Sequence, residues 1–234
     1  MDPRHFLFPV VALDDQDEPE WLCGNSFPIT EDGGLITCRH VVSKPDARLA
    51  VIDRLGSLRV LPIKEVVYPR DDSLDLAFLP RALDRPSKRF PLLPAPDFLV
   101  GASIHTYGFY SQSGRVDALY DGYFAGNVVR FYTDNYSRAV LSFPVIEGLS
   151  GSPVMLYHNG TKATGICYGS EQQRVLAAEI VDSQDGDAHY RETVNRVVEF
   201  GLALRSEVIM SFAAEIPDCE PVVTADAVPD PELQ

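Results

Sequence analysis

The chain lacks any apolar run approaching the ~18 residues that a membrane-spanning helix needs, so no membrane partner is expected. Lys and Arg are scarce, 20 against 34 Asp and Glu, which argues against a general nucleic-acid binder. A basic leader is missing as well. Residues 1–10 carry only Arg4, Pro9 breaks the short apolar run, and Asp14 soon follows, so no secretory signal is read and a cytoplasmic location is expected. Only four cysteines are present, Cys23, Cys38, Cys167 and Cys219, and in that compartment they are expected as reduced thiols. Cys23, Cys38 and His40 are spaced wrongly for an ordinary zinc set and want a fourth ligand. No metal or cofactor is expected.

The acidic excess is concentrated at the ends. Residues 1–22 hold six acids against Arg4, and residues 212–234 hold six with no base, so the formal charge of −14 leaves only −3 for the body between Cys23 and Ser211. A length of 234 residues suits one large domain or two small ones.

Long helical periodicity is absent from residue 5 to residue 182. Short apolar or alternating runs separated by Gly, Pro, Asp, Asn and Ser take its place, which is a strand signature. Strands are expected at 5–13, 21–28, 34–38, 48–53, 57–67, 75–80, 102–108, 115–130, 138–143, 152–157, 163–168 and 175–181. That many short strands suit two barrels. Prolines 86, 91, 94 and 96 mark a linker between them. The reading is all-β: a barrel over 1–90, a second over 91–186, and one C-terminal helix over 187–211. The helix rests on the three- and four-residue spacing of Tyr190, Val194, Val197, Val198, Leu202, Leu204, Val208 and Ile209. Residues 212–234 read as an acidic, proline-containing tail.

Three stretches carry chemistry: Gly34-Leu-Ile-Thr-Cys-Arg-His40, Asp71-Asp-Ser-Leu-Asp75-Leu-Ala-Phe-Leu, and Gly148-Leu-Ser150-Gly-Ser-Pro153. A serine hydroxyl is a weak nucleophile at neutral pH. It needs an imidazole to take its proton, and the imidazole needs a carboxylate to fix its tautomer. Glycines beside Ser150 suit a turn that exposes backbone N–H groups to a substrate carbonyl. Each stretch has a plainer reading as a core histidine, a polar turn or a Gly/Ser turn. None of those explains all three together. An α/β-hydrolase elbow would require its acid and base after Ser150, and only the crowded segment from Asp182 to His189 offers both.

In this order the stretches resemble those of the chymotrypsin-fold, trypsin-like serine peptidases, with compact spacings closer to the bacterial HtrA-like and viral branches than to the long-looped digestive enzymes. The resemblance taken is to the HtrA-like branch, without a PDZ module. Gly148-x-Ser150-Gly-Ser-Pro153 resembles the G-x-S-G-G-P signature with Ser152 in place of glycine. Thr37-Cys-Arg-His40 resembles T-A-x-H, and Asp75-Leu-Ala-Phe-Leu resembles D-[IL]-A-x-L. Tyr107-Gly-Phe-Tyr110 and Thr164-Gly-Ile-Cys-Tyr-Gly169 are softer matches.

The resemblance implies two six-stranded antiparallel barrels and a serine endopeptidase acting on polypeptides. Ser150 would be its nucleophile, His40 its base and Asp75 the orienting acid, with the N–H groups of Gly148 and Ser150 as oxyanion hole. Pro144 and Val145 would lie at the floor of an uncharged pocket and Cys167, Tyr168 and Gly169 along one wall, favouring a small or medium apolar residue before the scissile bond. Cys23 resembles the cysteine that usually bridges to a position held here by Val41, so that disulfide is not expected. The activation junction of extracellular relatives is missing, and Glu147 stands where they place the acid that pairs with the freed N-terminus. The enzyme is then either constitutively competent or activated by a protein partner. A non-hydrolytic peptide-binding module and a latent effector within a larger complex are the alternatives.

Overall fold

The computed structural model describes residues 3–54, 58–85, 90–93, 98–132, 137–157, 162–183, 189–217 and 219, with backbone only for 3–4, 174–183 and 189–195. The first half forms six strands: β1 (Phe8–Leu13), β2 (Pro19–Pro28), β3 (Leu35–Thr37), β4 (Leu49–Asp53), β5 (Arg59–Pro62) and β6 (Ala77–Leu79). They build one antiparallel sheet in the order β5-β4-β1-β2-β3-β6, open between β5 and β6. β5 ends on Pro62, which has no N–H to extend a ladder, and β6 stops one residue short of Pro80.

The second half is a closed barrel. Its strands are β7 (Ser103–Ser111), β8 (Leu119–Phe131), β9 (Arg138–Leu141), β10 (Pro153–Leu156), β11 (Ala163–Ser183) and β12 (His189–Arg205), ordered β10-β11-β12-β9-β8-β7. The chain is thus all-β with the two six-stranded units expected, plus two short helices, α1 (Arg39–Val42) and α2 (Ser206–Ala213).

One assignment needs correcting. The segment 187–211, read as a helix, is mostly β12, and only its end enters α2. The second unit therefore extends to Arg205 rather than ending at 186. Apolar residues in the same stretch also alternate, at Val198, Phe200, Leu202 and Leu204, with Val194 in the same phase. β-branched Thr193, Val194, Val197 and Val198 favour the extended form, and pairing with β11 from Gly165↔Arg205 to Ser183↔His189 decides it. The runs expected at 163–168 and 175–181 are one continuous strand, β11. Beyond Ser170 and Gly201, among the described residues, β11 and β12 pair only with each other, as a two-stranded ribbon. The tail from Glu220 onward lies outside the described residues.

The two halves share a core. Phe27, Ile36 and Leu79 from the first sheet belong to one buried cluster with Phe109, Ile166 and Leu204 from the barrel. α2 adds Ile209 and Phe212 to that cluster, and its first residue anchors it, Ser206 Oγ donating to the Leu93 carbonyl at 2.6 Å. At the far edge of the first sheet, fully buried Asp53 accepts hydrogen bonds from Arg59 at 2.8 Å and from Arg85 at 3.0 Å. A carboxylate that deep persists only when paired in this way.

Candidate active site

His40 is brought to Asp75 by two strands and one turn of helix. β3 ends at Thr37, α1 begins at Arg39, and β3 pairs with β6, whose first residue lies two positions after Asp75. His40 Nδ1–H donates to Asp75 Oδ2 at 2.6 Å, and the His40 backbone N–H donates to Oδ1 at 3.0 Å. Both carboxylate oxygens are thus committed to one residue, which fixes the ring and its tautomer and leaves Nε2 as the free acceptor. Burial pushes the Asp75 carboxyl upward, but the hydrogen bonds and charge of His40 outweigh it and hold the group below its ordinary value. Next to His40, Arg39 Nη2 bonds Asp72 Oδ1 at 2.9 Å and its Nη1 bonds the Asp72 carbonyl at 3.2 Å, tying α1 to the loop that delivers Asp75.

Ser150 lies in the turn between β9 and β10, and the first sheet holds that turn from behind. The Asn25 N–H donates to the Ser150 carbonyl at 2.7 Å. The fully buried Asn25 amide donates to the Gly148 carbonyl at 2.6 Å and to the Phe109 carbonyl at 2.8 Å, while its Oδ1 accepts the Phe109 N–H at 3.0 Å. Gly24 makes the approach feasible: a Cβ there would sit 2.7 Å from the Ser150 carbonyl oxygen and 2.6 Å from a methyl of Val41, the residue after His40. The turn bearing Ser150 and the helix bearing His40 are therefore both packed against one glycine.

Within the turn the polar groups sort by function. The carbonyls of Gly148 and Ser150 go to Asn25, and that of Leu149 accepts the Ser152 N–H at 3.0 Å. The N–H of Leu149 donates to Ile146 at 3.0 Å, and that of Gly151 to Cys167 at 2.8 Å. Among the described residues the N–H groups of Gly148 and Ser150 have no acceptor. Two unclaimed donors beside a hydroxyl are what a developing oxyanion requires. Gly148 and Gly151 sit at φ +93° and +87°, backbone that suits glycine. The Ser150 side chain is half-buried and makes no hydrogen bond to His40 or to any other described residue.

Ser152, the one departure from the family signature, is fully buried, and space for it exists because Gly108 faces it: a Cβ at 108 would lie 2.3 Å from Ser152 Oγ. Cys38, where the family has alanine, is buried and gives its S–H to the Cys167 carbonyl at 3.2 Å. Burial pushes the Cys38 thiol well up, with the Asp75 charge adding to the effect, and pushes Cys167 up to about 12. All four cysteines are unbridged. Cys38, His40 and Asp75 bring three ligand-type atoms within 4.8 Å of one another, but the His40–Asp75 bond already occupies two of them.

The segments expected to shape the pocket also meet. Val145 N–H donates to Ser170 Oγ at 3.0 Å, and Ser170 Oγ donates to the Val145 carbonyl at 2.9 Å, binding the Pro144-Val145 segment to β11 just past Gly169. A Cβ at Gly169 would meet nothing within 4 Å. The partner of β11 on this side, β10, reaches only Ile166, and Cys167 N–H bonds the Ser152 carbonyl at 2.9 Å. From Tyr168 on, that edge has no strand partner among the described residues. A cavity of about 700 Å³ lies elsewhere, at the open seam between β5 and β6, lined by Leu61, Ile63, Val67, Phe78 and Ile216.

Asn25 was not singled out in the sequence, although a lone amide inside the apolar run from Leu22 to Phe27 is the signal that could have found it. Asn is disfavoured in strands unless its side chain has partners.

No protein-family model and no curated protein sequence matches the chain. Solved structures do. The protease domain of MamO from Magnetospirillum magneticum (apo form) superposes with a TM-score of 0.57 at 15% identity, covering 88% of this chain and 95% of that one. Rv3671c from M. tuberculosis H37Rv, as an inactive Ser343Ala mutant, gives 0.54 at 17% identity over 94% and 90%. The serine endoprotease from Yersinia pestis gives 0.55 at 15% identity over 91% of this chain and 64% of that one. With a closed six-stranded barrel packed on a second six-stranded sheet, the chain has the chymotrypsin-like fold of these serine protease domains.

Proposed function

We propose that the chain is a serine endopeptidase. The observation that carries the reading is the division of backbone groups around Ser150, where the carbonyls of Gly148, Leu149 and Ser150 are tied down and, among the described residues, the N–H groups of Gly148 and Ser150 have no acceptor, together with a His40 whose Nδ1 and backbone N–H are both held by Asp75. In this reading Ser150 Oγ attacks the scissile carbonyl while His40 Nε2 takes its proton, and Asp75 stabilises the imidazolium. The oxyanion forms against the two free N–H groups. Collapse expels the amine, protonated by His40, and leaves an acyl-enzyme that water hydrolyses by the reverse proton path. The substrate adds as a strand to the open edge at Tyr168 and Gly169.

The missing Ser150–His40 hydrogen bond supports a second form of the same reading, in which substrate or an activating partner completes the alignment. Catalytic hydrogen bonds are often long or misaligned in free enzymes.

A fluorophosphonate probe tests the assignment. Ser150 Oγ displaces fluoride from phosphorus only when activated, so the wild type is expected to label and Ser150→Ala is not. Labelling that survives the substitution would remove Ser150 from the mechanism. The pocket floor, Pro144 and Val145, and its wall, Cys167, Tyr168 and Gly169, carry no charge, so cleavage should follow small or medium apolar residues. A peptide-library digest dominated by cuts after Arg, Lys, Asp or Glu would contradict this.

A further inference from the structure

Around the open edge of β11 the acidic groups are already committed. Asp75 is held by His40, and Asp72 by Arg39. Asp71 Oδ1 accepts the Ser73 N–H at 2.9 Å. Glu171, two residues beyond Gly169, accepts Arg130 Nη2 at 2.8 Å and the Tyr132 hydroxyl at 2.5 Å.

One guanidinium in this rim has no carboxylate bonded to it among the described residues. Arg138, the first residue of β9, is half-buried and forms no ion pair among the described residues. Its Nη2 donates to the neutral Ser73 carbonyl at 3.3 Å, its Nε is enclosed with no acceptor, and no described acceptor meets Nη1. Its charge helps hold the Asp71 carboxyl below its ordinary value, after the hydrogen bonds from Ser73, but no described carboxylate bonds it directly, and a partly desolvated guanidinium with unfilled N–H groups attracts an anion that can reach it.

The topology places this cation beside the substrate's path. Arg138 pairs with Leu204 on β12, which pairs with Ile166 on β11, one residue before Cys167. Ser73, which it touches, lies two residues before Asp75. Tyr168 on the open edge counts Arg138, Tyr132 and Glu171 among its ionisable neighbours, and burial pushes its phenol up to about 12, so it stays a neutral hydroxyl. A peptide added antiparallel to β11, with its scissile bond at Ser150 near Cys167, runs its N-terminal residues past Tyr168 and Gly169. Those residues therefore pass the Arg138 guanidinium.

We infer that Arg138 forms an anion-recognising subsite for an Asp or Glu side chain two to four residues upstream of the scissile bond, so that the preferred substrates are acidic polypeptide segments. This rests on the endopeptidase reading. It gives the enzyme an apolar requirement at the cleaved bond and an acidic one just before it. A charge-assisted hydrogen bond of this kind is roughly twice as strong as a neutral one, and a preference of about tenfold or more is expected.

The test uses internally quenched peptides with an apolar residue at the cleaved bond and Asp or Glu, or their amides Asn and Gln, at the second to fourth upstream positions. The readout is the ratio of kcat/KM for acid over amide in wild type, Arg138→Gln and Arg138→Lys. The same peptides are titrated by fluorescence anisotropy against Ser150→Ala with and without Arg138→Gln. A ratio near ten or above in wild type, falling to about one in Arg138→Gln and partly restored in Arg138→Lys, supports the subsite. An equal loss on both peptide series would mean that Arg138 only tethers the Ser73 loop, and would overturn it. So would a wild-type ratio near one, or no cleavage and no binding at all. The two readings fail separately: Arg138-dependent binding of acidic peptides without cleavage keeps the subsite and removes the hydrolase, while cleavage without acid preference does the reverse.

Discussion

Asp75→Asn is expected to lower kcat by about 10⁴-fold with the fold intact, as removing the negative charge behind a catalytic histidine does elsewhere. The reason is on the donor side of the ring. An amide in that place can present its NH₂ to Nδ1, so the ring is driven to the tautomer with the proton on Nε2, where it cannot accept the serine proton. The amide oxygen left at the Oδ1 position can still accept the His40 backbone N–H, now held at 3.0 Å, which keeps the local fold. Acid should act through the same carboxylate. Its folded-state value is depressed, so its contribution to stability is fully present above the ordinary carboxylate pKa of about 3.9 and is lost as pH falls through the folded value. Denaturant titrations of wild type and Asp75→Asn should therefore differ most at neutral pH and converge below about pH 4. A drop in kcat under tenfold would mean that Asp75 is not the orienting acid.

How much of this could be read from the sequence depends on whether a signal was local. The strands of the first sheet announce themselves by short apolar runs ended by Pro, Gly or Asp, and His40, Asp75 and Ser150 by the residues immediately around them. β12 did not, because Val194 to Ile209 satisfy two periods at once and only the pairing with β11, a non-local fact, chooses between them. The helical spacing was sound only at the end, where α2 buries Ile209 and Phe212. Asn25 and Arg138 were missed for a related reason. Each matters through a partner far along the chain, Asn25 through Gly148 and Arg138 through Ser73, and their flanking residues form no motif. Pro86, Pro94 and Pro96 of the expected linker lie outside the described residues, and Phe90, Leu92 and Leu93 within that stretch are buried, with Leu92 bridging to Ala163. A composition that looks like a connector also fills the seam.

Gly151→Ala is expected to abolish hydrolysis and to destabilise the protein by about 3 kcal/mol or more, a fall in Tm of roughly 6–12 °C for a chain this size. A Cβ at 151 would lie 1.9 Å from the Asn25 carbonyl oxygen and 2.8 Å from Thr37 Oγ1, and both are anchored, since that hydroxyl donates to the same carbonyl at 2.6 Å. Neither is a flexible side-chain tip that can swing away. The residue also sits at φ +87°, so alanine is strained before any contact is counted. Relief requires the strand carrying Asn25 and the Ser150 turn to separate by more than an ångström. That motion breaks the Asn25 N–H bond to the Ser150 carbonyl and the Gly151 bond to Cys167. A displacement of about 1 Å at reacting atoms can by itself cost 10²-fold in rate, and here it also misaims the two free N–H donors. Gly169→Ala is the matched control for stability, because its Cβ meets nothing within 4 Å, and its Tm should stay within about 2 °C of wild type. If Gly151→Ala kept both the wild-type Tm and measurable turnover, the close packing of Asn25 against the nucleophile turn could not be what positions Ser150.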